Sequence, residues 1–210
     1  MNARVLLLLS VLSLSSCGGG DGSSTAPPQT IVMMGDSLTS AWRIWGDLDQ
    51  HLPQAIDAGV PGNTTIMMQE RFQKDVLDQR PDVVVILGGT NDVFDATAIN
   101  APLPDMGYIL DMIVGAQQAG ARVILGTIPP STQVYYGRKV EGNILEWNAR
   151  LRSVAKVYGA VVADYYPVLC KPDGSQDWSL FEPDHIHPNT EGFQAMWPVL
   201  AQALSAVGAQ

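Results

Sequence analysis

Five short apolar runs, separated by longer amphipathic stretches, constrain the fold of this chain more than any other feature of its sequence. Apolar runs of four or five residues are typical of parallel strands that are buried on both faces. The stretches between them predict helices, several of which end at a glycine or before a proline. The predicted strands are 31–34, 55–58, 83–87, 123–127 and 161–164, and the predicted helices are 64–79, 104–119, 142–158 and 190–207.

This alternation predicts one α/β domain, a three-layer α/β/α sandwich around a five-stranded parallel sheet with right-handed crossovers. If the strand order is 2-1-3-4-5, the first strand lies between the second and the third. The loops after these three strands then meet beyond their carboxyl ends. A chain of 210 residues that is 46% hydrophobic can bury one sizeable core.

Two short motifs near opposite ends of the chain supply the groups for covalent catalysis. Ser37 follows the first apolar run, where a strand ends and a helix begins, so its backbone N–H can point at a developing anion. Asp184 and His187 stand three residues apart, and in a turn or short helix both can face the same way. Asp184 would then orient the imidazole that activates Ser37. His185 is the alternative base.

The loops after the second and third predicted strands carry candidate oxyanion donors. Gly59 lets a backbone N–H approach a substrate closely, and the side-chain amide of Asn91 can donate a hydrogen bond. Together with the Ser37 N–H, they predict a three-donor oxyanion hole. Each residue also has an ordinary structural alternative: Ser37 as a helix cap, and Gly59 and Asn91 as turn residues.

The short sequence blocks around Ser37, Gly59, Asn91 and His187 resemble, in their chain order, the four blocks of the SGNH (GDSL-type) hydrolases. These four residues correspond to the letters of the family name. The resemblance covers roughly residues 30–208. It implies a flavodoxin-like fold, a Ser37–His187–Asp184 triad and no cofactor. The second block often reads Asn-Arg-Gly, whereas here Ala58 precedes Gly59, so side-chain contacts from that loop are not carried over.

The resemblance implies esterase, thioesterase, lysophospholipase or carbohydrate-deacetylase activity. The absence of a large lid insertion favours short- or medium-chain acyl esters, aryl esters or lysophospholipids, as in the arylesterase/lysophospholipase-like branch. One alternative is a carbohydrate O-acetyl esterase, and another is a catalytically silent, lipid-anchored envelope-binding module. The aromatic residues near the motifs are candidate walls of an acyl pocket: Trp42, Trp45, Tyr135, Tyr136, Trp178 and Phe181.

The N-terminus predicts export and lipidation. The apolar run 5–14 is too short to span a bilayer but fits the apolar region of a signal peptide. Residues 14–17 resemble a bacterial lipobox, in which cleavage before Cys17 exposes the cysteine to lipidation. We therefore expect a bacterial lipoprotein in the cell envelope, on the periplasmic side or at the outer membrane. The expected segments are a signal peptide at 1–16, a lipidated tether at 17–29 and a hydrolase domain at 30–210.

The remaining composition narrows the partners. A formal net charge of −9 argues against nucleic acid, which needs clustered lysines and arginines. The sequence contains no zinc-type ligand spacing and no phosphate-binding glycine loop, so no metal or cofactor is predicted. Cys170 is the only cysteine besides Cys17, which argues against a disulfide framework. The expected partners are a small-molecule ester or lipid substrate and, through the anchor, a membrane; the expected state is a monomer or small homo-oligomer.

Overall fold

The structure, a computed structural model, describes residues 29–209. The predicted signal peptide, Cys17 and all but the last residue of the predicted tether lie outside these residues. Strands β1 to β7 are Ile31–Gly35, Ile56–Gly59, Val83–Leu87, Arg122–Gly126, Val134–Tyr135, Arg138–Lys139 and Val161–Ala163. Helices α1 to α7 are Ser37–Trp45, Leu48–His51, Thr65–Asp75, Thr90–Ile99, Gly107–Gln118, Glu141–Tyr158 and Thr190–Ala206.

Five of the strands form one parallel sheet in the order β2-β1-β3-β4-β7, while β5 and β6 form a small antiparallel hairpin. Helix α1 packs with α7, whereas α5 packs with both α3 and α6, which gives a helical layer on each side of the sheet. The predicted α/β/α sandwich with a five-stranded parallel sheet is confirmed.

The core explains why the strand sequences are apolar without alternation. Every residue of β1 and β3 is buried, because helices cover both faces of these central strands. Trp42 of α1 is also fully buried, and its ring packs edge-on against Phe193 of α7 at a centroid distance of 4.8 Å. Trp42 is therefore a core residue, and the expectation that it could wall an acyl pocket is wrong.

The register aligns the ends of the three strands that carry the candidate site. Gly35, the last residue of β1, pairs with Gly59 at the end of β2 and with Leu87 at the end of β3. A Cβ at Gly35 would lie 1.9 Å from the Thr39 Oγ1 and 2.4 Å from the Leu87 carbonyl oxygen. Only a glycine here lets α1 begin immediately after the strand.

Helix α4 and the β5–β6 hairpin differ from the sequence prediction, as does the four-residue helix α2, for which no element was predicted. Helix α4 starts at Thr90 inside a segment that was predicted as a loop; it is capped by Gly89, whose φ of 113° is a conformation that favours glycine. The hairpin of β5 and β6 lies in the segment after β4 for which no element was predicted. The hairpin strands have only two residues each, and α4, although ten residues long, lacks the apolar periodicity that predicts a helix.

Candidate active site

Ser37 is the first residue of α1 and lies at the carboxyl edge of the sheet. The preceding residue, Asp36, caps the helix by accepting a hydrogen bond from the Leu38 N–H at 2.9 Å. Ser37 is half-buried, and its own N–H has no acceptor among residues 29–209. A helix N-terminus with a free N–H favours negative charge beside it, so the backbone here suits a developing anion.

His187 and Asp184 reach Ser37 from the loop before α7. The Ser37 Oγ lies 2.8 Å from the His187 Nε2, and the His187 Nδ1 lies 2.7 Å from the Asp184 Oδ2. The Asp184 Oδ1 also accepts from the backbone N–H groups of Ile186 and His187, at 2.9 and 3.0 Å. These bonds form a turn rather than a helix, in which the Asp184 carboxylate contacts the His187 ring and the ring faces the serine.

The electrostatics of this loop keep Asp184 ionised. Partial burial acts to raise the pKa of the Asp184 carboxyl, but hydrogen bonds from the His187 ring and from two backbone N–H groups outweigh it and hold the pKa below its usual value. An ionised Asp184 accepts the Nδ1–H of His187, which leaves the Nε2 lone pair facing Ser37. The three side chains can therefore move a proton off the serine hydroxyl.

His185, the alternative base, makes no hydrogen bond with Ser37 among residues 29–209. Its ring lies against Trp178 at a centroid distance of 4.5 Å, and its backbone adopts a φ of 56°. The structure thus brings His187, and not His185, within hydrogen-bond distance of the nucleophile candidate.

Three polar side chains that the sequence analysis missed hold the histidine loop in place. Gln133 donates to the Asp184 carbonyl oxygen, while Ser131 and Gln176 donate to the His185 carbonyl oxygen at 3.2 and 3.0 Å. Two of these contacts join residues more than 50 positions apart in the chain, and the third joins residues nine apart. No local motif marks them, because serine and glutamine in loops are most often solvated.

The Gly59 N–H is engaged elsewhere. Gly59 ends strand β2, and its N–H donates to the Asp57 Oδ1 at 2.8 Å. The oxyanion-donor prediction for this residue therefore requires a hydrogen bond to break. Three residues later, Gly62 has a φ of 79°, and its N–H has no acceptor in the described part of the chain. The sequence signal for Gly62 is a Gly-Asn pair in a turn after a strand.

Asn91 lies in the first turn of α4, and its side chain is directed to the loop that follows β2. Its Nδ2 donates to the Asn63 carbonyl oxygen at 2.9 Å, next to Gly62. This bond uses one of the two N–H groups of the amide and leaves the other available. The loops after β1, β2 and β3 thus meet at one edge of the sheet.

The chain matches a known protein family. The sequence model of the GDSL-like lipase/acylhydrolase family matches residues 33–195, which include Ser37, Asn91, Asp184 and His187. The chain belongs to this family. The family predicted from the sequence motifs is confirmed.

This GDSL-like chain is similar to two relatives, each over less than two thirds of the relative's own length, and to a solved structure over most of its length. A multidomain esterase of Ruminococcus flavefaciens is 28% identical over 119 residues, which span 55% of this chain and 14% of that protein. The uncharacterized lipoprotein YqeF of Bacillus subtilis (strain 168) is 27% identical over 156 residues, 64% of each chain. The crystal structure of a GDSL-like lipase from Bacteroides thetaiotaomicron VPI-5482 has 26% identity and a TM-score of 0.74, covering 85% of this chain and 88% of that one.

Asp36 is a fully buried carboxyl beside the GDSL serine. Burial raises its pKa to about 7, although the Leu38 N–H and the nearby His187 act in the opposite direction. Its Oδ2 has no hydrogen-bond partner in the described residues. Because an unpaired charge is costly in such a place, the neutral acid is the form that the fold prefers.

We predict that Asp36 makes the folded state less stable as the pH rises. The unfolded carboxyl releases its proton near its usual value of 3.8, whereas the folded one holds it to about pH 7, so each rise in pH across that interval favours unfolding. Urea unfolding of wild type and Asp36→Asn across this range tests it. The stability of wild type should fall relative to the variant as the pH rises, and a difference that does not change with pH would contradict the prediction.

Proposed function

We propose that this protein is a serine hydrolase that cleaves carboxylic esters through a Ser37–His187–Asp184 triad. The observation that carries the proposal is the continuous hydrogen-bonded chain from the Ser37 Oγ to the His187 Nε2 and from the His187 Nδ1 to the Asp184 carboxylate. Nucleophile, base and orienting acid stand in the order that acyl transfer requires. Membership of the GDSL-like lipase/acylhydrolase family supports the same reaction.

The proposed reaction has two steps. The His187 Nε2 takes the hydroxyl proton of Ser37 while the Oγ attacks the ester carbonyl carbon, and the proton then passes to the departing alcohol. The acyl group is left as an ester on the Ser37 Oγ. A water molecule, deprotonated by His187, then attacks this ester, releasing the acid and restoring the serine. Asp184 stabilises the imidazolium that forms in each step.

The proposed oxyanion donors are the Ser37 N–H, the Asn91 amide and a glycine N–H from the loop after β2. For the last donor we favour Gly62 over Gly59, because the Gly59 N–H already donates to Asp57. The Asn91 amide donates to the carbonyl oxygen of Asn63, the residue after Gly62, and this contact supports the choice. Removing a single donor of this kind costs about 10²- to 10³-fold in kcat.

An apolar groove next to these donors supports esters with a short or medium acyl chain. The groove has a volume of about 300 Å³ and begins at Thr64 and Asp92, each one residue beyond the Asn63–Asn91 contact. Ile66, Ile99 and Tyr108 line it and leave apolar surface exposed. Each methylene buried there would contribute about 0.8 kcal/mol to binding.

A second candidate is a carbohydrate O-acetyl esterase, and a different cavity favours it. A pocket of about 260 Å³ is lined by four residues with hydrogen-bonding side chains and by one aromatic residue: Thr132, Lys171, Ser175, Gln176 and Trp178. Trp178 is 55% exposed and touches the ring of His185, within the loop that carries the triad base. A flat aromatic face among hydrogen-bonding groups suits a sugar ring, which has apolar C–H faces and polar edges.

We further propose that the protein is a lipoprotein anchored through Cys17, as the lipobox-like segment before that residue suggests. The name of the related YqeF, an uncharacterized lipoprotein, supports this localisation. Across residues 29–209, none of the helices is both long and apolar enough for a bilayer crossing.

The triad is tested by matched histidine variants. Ser37→Ala and His187→Ala should each lower turnover of a p-nitrophenyl ester by about 10³-fold or more, because either change removes the nucleophile or its base. His185→Asn is the control, since asparagine tolerates the positive φ and the His185 ring packs against Trp178. It should stay within about tenfold of wild type. Near-wild-type turnover by His187→Ala would reject the assignment.

The substrate class is tested by two exposed residues, one from each cavity. If the apolar groove holds the acyl chain, Ile99→Ser should lower kcat/KM for an octanoyl ester about tenfold more than for an acetyl ester. Val157→Ser is the matched control, because Val157 is 76% exposed against 77% for Ile99 and lies on α6 outside the groove. No chain-length effect in Ile99→Ser, together with a selective loss on acetylated oligosaccharides in Trp178→Ala, would favour the deacetylase.

The anchor is tested by Cys17→Ala. The variant should appear in the soluble envelope fraction rather than with membranes, because a lipid chain supplies the membrane affinity. Specific activity in detergent should be unchanged, since the change lies outside the hydrolase domain. A variant that still sediments with membranes would contradict lipidation at this residue.

A further inference from the structure

Arg71 on α3 hydrogen-bonds to the ends of two strands and to one loop of the candidate site. Its guanidinium donates to the Gly35 carbonyl oxygen at 2.8 Å, the Ala58 carbonyl oxygen at 2.8 Å and the Asn63 Oδ1 at 2.7 Å. Asp75, one turn further along the same helix, pairs with it at 2.9 Å. The side chain is only 18% exposed, so these bonds are largely shielded from water.

The two backbone oxygens belong to neighbouring strands at the point where the sheet ends. Gly35 closes β1 just before Asp36 and Ser37, and Ala58 lies at the end of β2. A guanidinium presents five N–H groups in a rigid plane, so one arginine can satisfy several acceptors and fix their relative positions. Asp75, on the same helix, forms an ion pair with the guanidinium and restricts its rotation.

The third acceptor links Arg71 to the proposed oxyanion donors. Arg71 binds the side chain of Asn63, and the main-chain oxygen of the same residue accepts from the Asn91 amide. A continuous path of hydrogen bonds therefore runs from the end of the nucleophile strand through Arg71 and Asn63 to Asn91. In the described part of the chain, no other arginine hydrogen-bonds to more than one of these three segments, the end of β1, the end of β2 and the loop after β2.

We propose that Arg71 is a positioning residue, which fixes the loop of Gly62 and Asn63 against the end of the nucleophile strand and thereby aims the Asn91 amide at the oxyanion. This inference rests on the proposed ester hydrolysis. Arg71 binds no substrate in this scheme and acts only through the donors that it holds. Its loss should therefore weaken transition-state stabilisation more than substrate binding.

The first experiment compares two arginines that each bind backbone oxygens. Arg71→Met should lower kcat by about 10- to 100-fold, with KM within about threefold of wild type, because a donor displaced by about 1 Å loses most of its effect. Arg122→Met is the control: Arg122 donates to the Asp82 and Val207 carbonyl oxygens at the opposite end of the sheet. It should lower stability without changing kcat in the folded protein.

The second experiment is a double-mutant cycle with Asn91→Ala, which separates positioning from a merely structural role. In wild type, Asn91→Ala should lower kcat by about 10²- to 10³-fold. In the Arg71→Met background the same change should lower it by less than about tenfold, because the amide is already misplaced. In the Arg122→Met background the full loss should remain. If Arg71→Met does not fold, Asn63→Ala, which removes one of the four contacts, takes its place.

The outcomes are distinguishable. A wild-type protein that neither hydrolyses any p-nitrophenyl ester nor reacts with a fluorophosphonate would overturn the proposed function itself. An active wild type in which the losses from Arg71→Met and Asn91→Ala simply multiply would overturn the positioning role alone. A loss confined to KM would also overturn it, since the proposal concerns the transition state.

Discussion

The parallel pairing of β1 with β2 and β3 is the constraint on which the candidate site depends. Gly35, Gly59 and Leu87 stand in register, so the chain leaves all three strands at the same level of the sheet. Ser37, the glycine loop and Asn91 follow these positions within four residues, and they meet although they are distant in sequence. The buried apolar residues of the strands fix the register, because a shift in pairing would move hydrophobic side chains out of the core. The chemistry is thus assembled by the same packing that makes the fold.

The edge of the sheet combines this rigidity with groups that the core would normally exclude. Asp36, the residue before Ser37, and Asp92, the residue after Asn91, are both buried carboxyls, and burial raises the pKa of each. Asp92 is satisfied by the Thr65 hydroxyl and N–H, which ties the start of α4 to the start of α3. Arg71 binds the side chain of Asn63 in the loop after β2. These polar contacts cost stability to bury but fix the loops that the strands alone would leave free.

Much of the fold and part of the site could be predicted from the sequence, and the reasons for the limits are physical. The strands follow from apolar runs, and Ser37 and His187 follow from motifs that place each in a local turn. The choice between Gly59 and Gly62 as an oxyanion donor could not be predicted from the sequence, because it depends on which N–H donates to the Asp57 side chain. Gln133 and Arg71 act through contacts with residues distant in the chain, which leave no local pattern. Helix α4 was missed because its glycine cap resembles a loop.

The most direct measurement is the site of covalent modification by a fluorophosphonate, located by mass spectrometry of the digested protein. If Ser37 is the activated nucleophile, wild type should carry a single adduct on the peptide that contains Ser37, and His187→Ala should acquire it far more slowly. An adduct on any other residue, or a folded wild-type protein that acquires none, would contradict the account.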